Sequence, residues 1–104
     1  MKEITILYLS LADLCQATDT PSETLIEITD EGIIEPVGNH PANWQFSVRN
    51  VSVVQKAVRL HRDLSIDWPG IALAMSLIEE LEKIRSENQQ LKRRLQRFNS
   101  PNRQ

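Results

Sequence analysis

A heptad pattern near the carboxyl end constrains the fold of this chain more than any other sequence feature. From residue 74 to residue 98, apolar side chains recur at alternating spacings of three and four residues, interrupted only by Asn88. Such a seam predicts a continuous helix that packs against a second helix in a coiled coil. A single polar residue at an a position, as at Asn88, is typical of coiled coils that fix their register at some cost in stability.

The length of this helix predicts that its partner is a second copy of the chain. A helix over residues 68–98 would be about 46 Å long, whereas a domain of ~70 residues is only about 25–30 Å across. The far half would leave its Leu and Ile side chains in water, and each would forfeit about 1.5–3 kcal/mol of burial. We therefore expect a homodimer, with these dimerisation residues: Leu77, Leu81, Ile84, Asn88, Leu91, Leu95 and Phe98.

The charges beside the seam leave the relative direction of the two helices open. Glu80 with Arg85, and Glu87 with Lys92, have the g-to-e spacing of a parallel pair. An antiparallel pair would instead place Glu80 near Arg94. Both directions therefore offer ion pairs.

The rest of the chain is long enough for one compact domain. The chain has 104 residues, 40% of them hydrophobic and 25% charged, so a large multidomain enzyme is excluded. No apolar run approaches the roughly 18–20 residues that cross a bilayer, and the lone Cys15 cannot form an internal disulfide. We expect a cytoplasmic, mainly α-helical protein with a head over residues 1–66, a coiled-coil helix over 67–98 and a flexible tail over 99–104.

Capping residues predict two short helices at the start of the head, after a strand over residues 4–9. Ser10 is a candidate N-cap for the first helix. The second helix would begin near Pro21 and end before Gly32, which can adopt the left-handed conformation that closes a helix. Two short helices joined by a tight turn result.

Turn formers and a further amphipathic pattern complete the head. Residues 37–46 end in Trp-Gln-Phe and predict a small hairpin or wing. A third helix, capped by Asn50 or Ser47, would end near residue 65, and Asp67 would cap the long fourth helix. The buried stripe of the third helix would consist of Val53, Val54, Ala57, Leu60 and Leu64.

The net charge of −2 conceals an asymmetry between the two halves of the chain. Residues 1–47 carry one lysine against eight acids, a net charge of −7. Residues 48–104 carry eleven lysines and arginines against six acids, a net charge of +5. An acidic head repels phosphate and attracts basic surfaces, so we expect a basic protein partner for it.

The acids are concentrated on the predicted second helix. Their spacings of four and three residues place them on one broad helical face. In a helix-turn-helix protein this helix enters the DNA groove, where carboxylates would repel the phosphates. The candidate partner-binding residues are Asp19, Glu23, Glu27, Asp30 and Glu31, with Trp44 and Phe46 either as apolar anchors or as cover for the core.

Catalytic and metal-binding patterns are missing from the sequence. Cys15 lies on the apolar stripe of the first predicted helix, which favours a packed core residue over a reactive thiol. His40 and His61 have no Cys or Glu companions at metal-ligand spacing. There is no Ser/His/Asp order and no phosphate-binding glycine loop. We expect a non-catalytic protein without metal or cofactor.

The first half resembles the winged helix-turn-helix of MerR-type regulators. The likeness rests on Gly-Ile-Ile-Glu-Pro at residues 32–36 and on the aromatic pair in residues 44–46. The resemblance implies a MerR-like head and, by analogy with MerR-type dimers, an antiparallel coil. The chain departs from the DNA binders of that family where they place basic and aromatic side chains, at Glu23, Ile26, Glu27, Ile28 and Gln45. These departures remove phosphate contacts on which DNA affinity depends.

A closer resemblance, over nearly the whole chain, is to the CbpM family of chaperone modulatory proteins. It rests on Val-Gln-Lys-Ala-Val-Arg-Leu at residues 54–60 and on Asp-Trp-Pro-Gly-Ile-Ala at residues 67–72. Glu-Asn at residues 87–88 and Arg-Phe at residues 97–98 extend it. The resemblance implies a dimeric adaptor that binds the J-domain of the DnaJ-like co-chaperone CbpA and blocks its cooperation with DnaK.

Three functions are compatible with the sequence. The first is a co-chaperone inhibitor whose acidic face binds the basic helix of a J-domain. The second is a MerR-like transcriptional regulator, which would need a basic reading surface that the second helix lacks. The third is a purely structural coiled-coil module built on residues 67–104.

Overall fold

A computed structural model of the chain describes residues 7–99. The elements follow the order β1 (Tyr8–Ser10), α1 (Leu11–Thr18), α2 (Ser22–Asp30), a 3-10 turn (Pro41–Asn43), β2 (Gln45–Ser47), α3 (Asn50–Leu64) and α4 (Trp68–Phe98). The predicted class, mainly α with a long carboxyl-terminal helix, is confirmed. Chain contacts divide the protein into two compact units, one ending at Leu73 and one beginning at Ala74.

Helix α1 begins at the predicted cap. The Asp13 N–H donates to Ser10 Oγ at 3.1 Å, and the Ser10 N–H donates to Asp13 Oδ2 at 3.4 Å, which forms a capping box. The helix ends at Asp19, whose φ of 53° is left-handed. Residues 4–6 of the predicted first strand lie outside the described residues, and the strand itself covers Tyr8–Ser10.

Helix α2 ends where the sequence predicts. Gly32 adopts a φ of 79°, and the Ile33 N–H donates to the Ile28 carbonyl at 3.2 Å. This reversed turn satisfies a carbonyl at the helix end that would otherwise lack a partner. Leu25 and Ile28 are fully buried, so α2 packs through the face that they define.

The predicted hairpin or wing forms, and its second strand has a further partner that the sequence did not predict. Val37 pairs with Gln45 in one isolated bridge, whereas β2 takes β1 as its regular antiparallel partner, with Leu9 opposite Phe46. A short-range turn signal predicts pairing between neighbouring segments. Here the ladder joins segments that are far apart in sequence, and it fixes the wing to the start of α1.

Two predictions for helix α3 are wrong, its N-cap and the burial of Leu64. Neither Asn50 nor Ser47 caps it, because Asn50 is already helical and the N-cap Arg49 makes no side-chain capping bond. Instead, Ser47 Oγ accepts the Arg49 N–H at 3.2 Å. Val54 and Ala57 are buried as predicted, but Leu64 is 52% exposed. Leu64 is the last helical residue, and the left-handed residue after it, Ser65, turns the chain away.

The core of the first unit draws on every one of its helices and on β2. It contains the side chains of Leu14, Leu25, Ile28, Ile34, Phe46, Val54, Ala57, Trp68 and Ile71. Burial of each large side chain is worth about 1.5–3 kcal/mol. Trp68 and Ile71 belong to the first turn of α4, which therefore contributes to this core.

Helix α4 has the predicted start and end. The Gly70 N–H donates to Asp67 Oδ1 at 3.1 Å, so Asp67 caps the helix as expected. The helix then continues for 31 residues to Phe98. No helix in the described part of the chain is both long and apolar enough to span a membrane.

Candidate functional site

Helix α2 presents a stripe of carboxylates. Glu23, Glu27 and Asp30 are exposed and follow one another at four and three residues. This spacing places them on the side opposite the buried Leu25 and Ile28. The structure therefore brings together three of the five predicted acids on one helical face.

The other two predicted acids lie at helix ends. Asp19 closes α1 and is exposed, and Glu31 follows the last residue of α2, also exposed. Glu31 is thus not part of the helical stripe, although it is next to Asp30. All five carboxylates are in contact with solvent.

These carboxylates are not neutralised by neighbouring side chains. Within residues 7–99, the ion pair whose nitrogen and oxygen lie within 4.0 Å of each other joins Arg62 Nε to Asp63 Oδ1, at 3.5 Å. Helix α2 itself contains no lysine or arginine. Uncompensated negative charge on the second helix creates a field that attracts basic surfaces and repels nucleic-acid phosphate.

A groove lies beside the acidic stripe, within the first unit. It encloses about 500 Å³ between the α1–α2 turn, the last turns of α3 and the first residues of α4. Asp19 and Glu27 line it together with Asp67. Sequence analysis predicts only a capping role for Asp67, because a local cap signal does not reveal which distant residues the fold places nearby.

The aromatic residues of the wing have separate environments. Trp44 is half-buried and meets Phe46 edge to face, with ring centroids 5.8 Å apart. Phe46 has no exposed surface, so of its two expected roles the structure shows the core residue and not the apolar anchor. Alternation along β2 turns Phe46 inward while Gln45 faces solvent.

The seam of α4 is exposed from Leu77 to Phe98. The large apolar residues at its heptad positions have exposed fractions between 46% for Leu81 and 83% for Phe98. Asn88, which interrupts them, is exposed as well. The exposed apolar side chains are Leu77, Leu81, Ile84, Leu91, Leu95 and Phe98.

The remaining candidate groups are not arranged for catalysis or metal binding. Partial burial raises the pKa of the Cys15 thiol, which disfavours the reactive thiolate. His61 stacks on Trp68, with ring centroids 4.1 Å apart. Among the residues that the structure describes, no three His, Cys, Asp or Glu side chains are grouped as metal ligands.

Comparison with known proteins gives a family for this arrangement. Residues 9–93 match the model of the MerR HTH family of regulatory proteins. Chaperone modulatory protein CbpM of Salmonella arizonae is 47% identical over 98 residues, which cover 94% of this chain and 96% of that protein. The proteins of the same name from Pseudomonas putida and Pseudomonas entomophila are each 43% identical over 94% of this chain and 97% of their own length.

The chain belongs to the CbpM family of chaperone modulatory proteins. Both descriptions, chaperone modulator and MerR-type regulator, denote regulatory proteins. In this chain α2 carries carboxylates at the position where a DNA-reading helix-turn-helix has basic side chains. The resemblance inferred from the Asp-Trp-Pro-Gly-Ile-Ala motif is confirmed.

Proposed function

We propose that this chain binds the J-domain of a CbpA-type co-chaperone and inhibits its cooperation with DnaK (Hsp70). The observation that carries the proposal is the stripe of unneutralised carboxylates on α2. J-domains present a basic helix to their Hsp70 partner, and the acidic face of α2 can bind that helix in place of Hsp70. Complementary charge of this kind accelerates encounter and excludes wrong partners.

Charge reversal on α2 tests the proposed surface. Glu23→Lys with Glu27→Lys replaces attraction by repulsion at two neighbouring points of the stripe. Since like charges across an interface cost several kcal/mol, we expect affinity for the J-domain to fall about 100-fold or more, as measured by isothermal titration calorimetry. The variant should also lose its inhibition of J-stimulated Hsp70 ATPase activity.

A matched variant controls for total charge. Glu79→Lys with Glu82→Lys changes the net charge by the same amount on α4, outside the a, d, e and g positions of the seam. It should bind the J-domain as the unmodified chain does. Full J-domain binding by the α2 variant would reject the surface, and no binding by the unmodified chain would reject the partner.

We also propose that the chain acts as a homodimer, with the α4 seam as the interface. Exposed Leu and Ile side chains at a and d positions support this, because a coiled-coil partner would bury them. We favour the antiparallel direction on the likeness to MerR-type dimers. With full overlap of the seam, residue 76 of one copy then lies opposite residue 96 of the other.

Spin labels distinguish the two directions. In a Cys15→Ala background, Ser76→Cys carries one label per chain. Antiparallel helices separate the two labels by about 30 Å along the coil axis, whereas parallel helices bring them within about 20 Å, given an interaxial distance of about 10 Å. A short distance in double electron–electron resonance would overturn the antiparallel arrangement.

DNA binding is the second candidate function, and the match to MerR-type regulators favours it. A DNA-reading dimer needs basic side chains on the helix that enters the groove. Helix α2 carries carboxylates instead. A gel shift at physiological salt that showed tight, sequence-selective binding would place this function first.

A further inference from the structure

The groove beside α2 combines charge and shape in a way that the stripe alone does not. Three carboxylates line it, those of Asp19, Glu27 and Asp67, and they come from three separate segments of the first unit. Val58 and the stacked rings of His61 and Trp68 also line the groove. The site is therefore a concave pocket with an apolar wall and an acidic rim.

The three carboxylates are available to a ligand. Within residues 7–99, none has a lysine, arginine or histidine nitrogen within 4.0 Å. Asp67 uses Oδ1 to accept the Gly70 N–H, and a carboxylate can accept further hydrogen bonds at its second oxygen. A cation that entered the groove would find acceptors that the fold itself does not neutralise.

The stacked aromatic pair of His61 and Trp68 forms part of the lining of the groove. The rings of His61 and Trp68 are 4.1 Å apart and within 6° of parallel. Trp68 is 9% exposed, so it is held firmly by the core. Planar guanidinium groups pack well on aromatic rings and form two parallel hydrogen bonds with a carboxylate, whereas the ammonium of lysine does neither as well.

We propose that the groove receives an arginine side chain from a basic helical segment of the partner protein. This rests on the proposed function, and it specifies where on the head that segment docks. Charge complementarity selects a cationic occupant, and the aromatic lining together with the carboxylates favours arginine over lysine. The stripe on α2 attracts the segment, and the groove fixes its position.

Indole signals of the full-length chain test the groove without a J-domain. The chain has two tryptophans, Trp44 in the wing and Trp68 in the groove. The probe is a 15-residue helical peptide with arginines at i, i+4 and i+7, and its control has citrulline at the same positions. Citrulline keeps the shape of arginine and lacks its charge.

We expect the arginine peptide to shift the Trp68 indole Nε1–H resonance in a saturable manner. The Trp44 resonance should stay in place, and the citrulline peptide should shift neither. The proposal is overturned if the Trp68 signal does not move, or if both peptides move it equally. This outcome does not depend on whether a J-domain binds.

A conservative variant then connects the groove to the partner. Asp67→Asn keeps a side chain that can cap α4 and removes the charge from the groove. Loss of one charge-assisted pair should weaken J-domain binding roughly 10-fold or more. Asp63→Asn, an identical change at an exposed site outside the groove, should leave affinity unchanged.

The two proposals fail in different ways. If Asp67→Asn binds the J-domain as tightly as the unmodified chain while Glu23→Lys with Glu27→Lys does not, the groove is rejected and the acidic stripe stands. If the unmodified chain binds no J-domain but the arginine peptide still shifts Trp68, the co-chaperone partner is rejected and the groove stands.

Discussion

The two compact units of this chain expose their apolar side chains to opposite extents. In the first unit, eight side chains from Leu14 to Ile71 have at most 2% of their surface exposed. From Ala74 to residue 99, no described residue is buried, and every large heptad side chain is at least 46% exposed. The first unit buries its own hydrophobic pattern, whereas the second leaves its apolar seam in water, where the proposed dimer would cover it.

The difference in burial between the two units divides their roles, because the first unit is stable through its own core and is free to use its surface for partner specificity. The core of the first unit is complete without help, so its surface can carry charge for a partner without endangering the fold. The second unit has little internal packing, so its helix gains stability chiefly through association. Four changes to the chain test this division, and they are taken in order of decreasing effect.

The largest effect is expected from polar substitutions in the seam. Leu81→Asp with Leu91→Asp would bury carboxylates in a coiled coil, so the dimer should dissociate completely at micromolar concentration. Sedimentation equilibrium should report the 11.9 kDa of a single chain, with unchanged tryptophan fluorescence from the head. Gln89→Asp with Gln96→Asp, outside the seam, should remain dimeric. A seam variant that stays dimeric would contradict the assignment.

A substitution in the core tests the independence of the first unit. Leu25→Ala removes a fully buried side chain and should lower the free energy of unfolding by about 2–5 kcal/mol. Urea unfolding in the monomeric Leu81→Asp, Leu91→Asp background removes the concentration dependence of a dimer. Val37→Ala, at a 63% exposed position, should change stability by less than about 0.5 kcal/mol. Equal effects of the two would show that the head has no core of its own.

A smaller effect is expected at the start of α1. Ser10→Ala removes the hydroxyl that accepts the Asp13 N–H and should cost about 1 kcal/mol. Ser22→Ala, at the exposed start of α2, serves as the control and should cost less than half of that. The same urea experiment measures both, and a neutral Ser10→Ala would mean that water replaces the capping box.

The smallest effect concerns the thiol of α1. Burial raises the pKa of Cys15 in the folded state, so the folded chain holds the thiol proton more strongly than the unfolded chain does. The resulting stabilisation is present at neutral pH and is lost as the pH rises through the folded pKa. Disulfide exchange with DTNB at pH 7.5 should therefore be slower in the native chain than in urea.

An exposed thiol provides the comparison for that rate. Ala12→Cys in a Cys15→Ala background places the group on the outer face of α1. It should react with DTNB several-fold faster than native Cys15. Equal rates would show that the packing around Cys15 does not protect it.

Local signals predicted most of the helix boundaries. The Ser10 cap, the reversal at Gly32, the Asp67 cap and the end of α4 at Phe98 all lie where the sequence placed them. Each depends on residues within one or two turns of one another, so a linear reading detects them.

Features that depend on residues far apart in the sequence were not predicted. The sequence did not predict the pairing of β2 with β1, although the bridge between Val37 and Gln45 matches the expected hairpin. The groove that joins Asp19 and Glu27 to Asp67 also had no sequence signal. In each case the contact is set by how the helices pack.

The sequence by itself determined the helical class, the acidic character of α2 and the heptad seam of α4, because composition and periodicity are properties of neighbouring residues, and its motifs carried the resemblance to the family. Tertiary structure alone decided which carboxylates share a groove, that His61 stacks on Trp68, and which aromatic of the wing is buried. The physical reason is that close packing fixes the positions of side chains only after separate segments meet in one core.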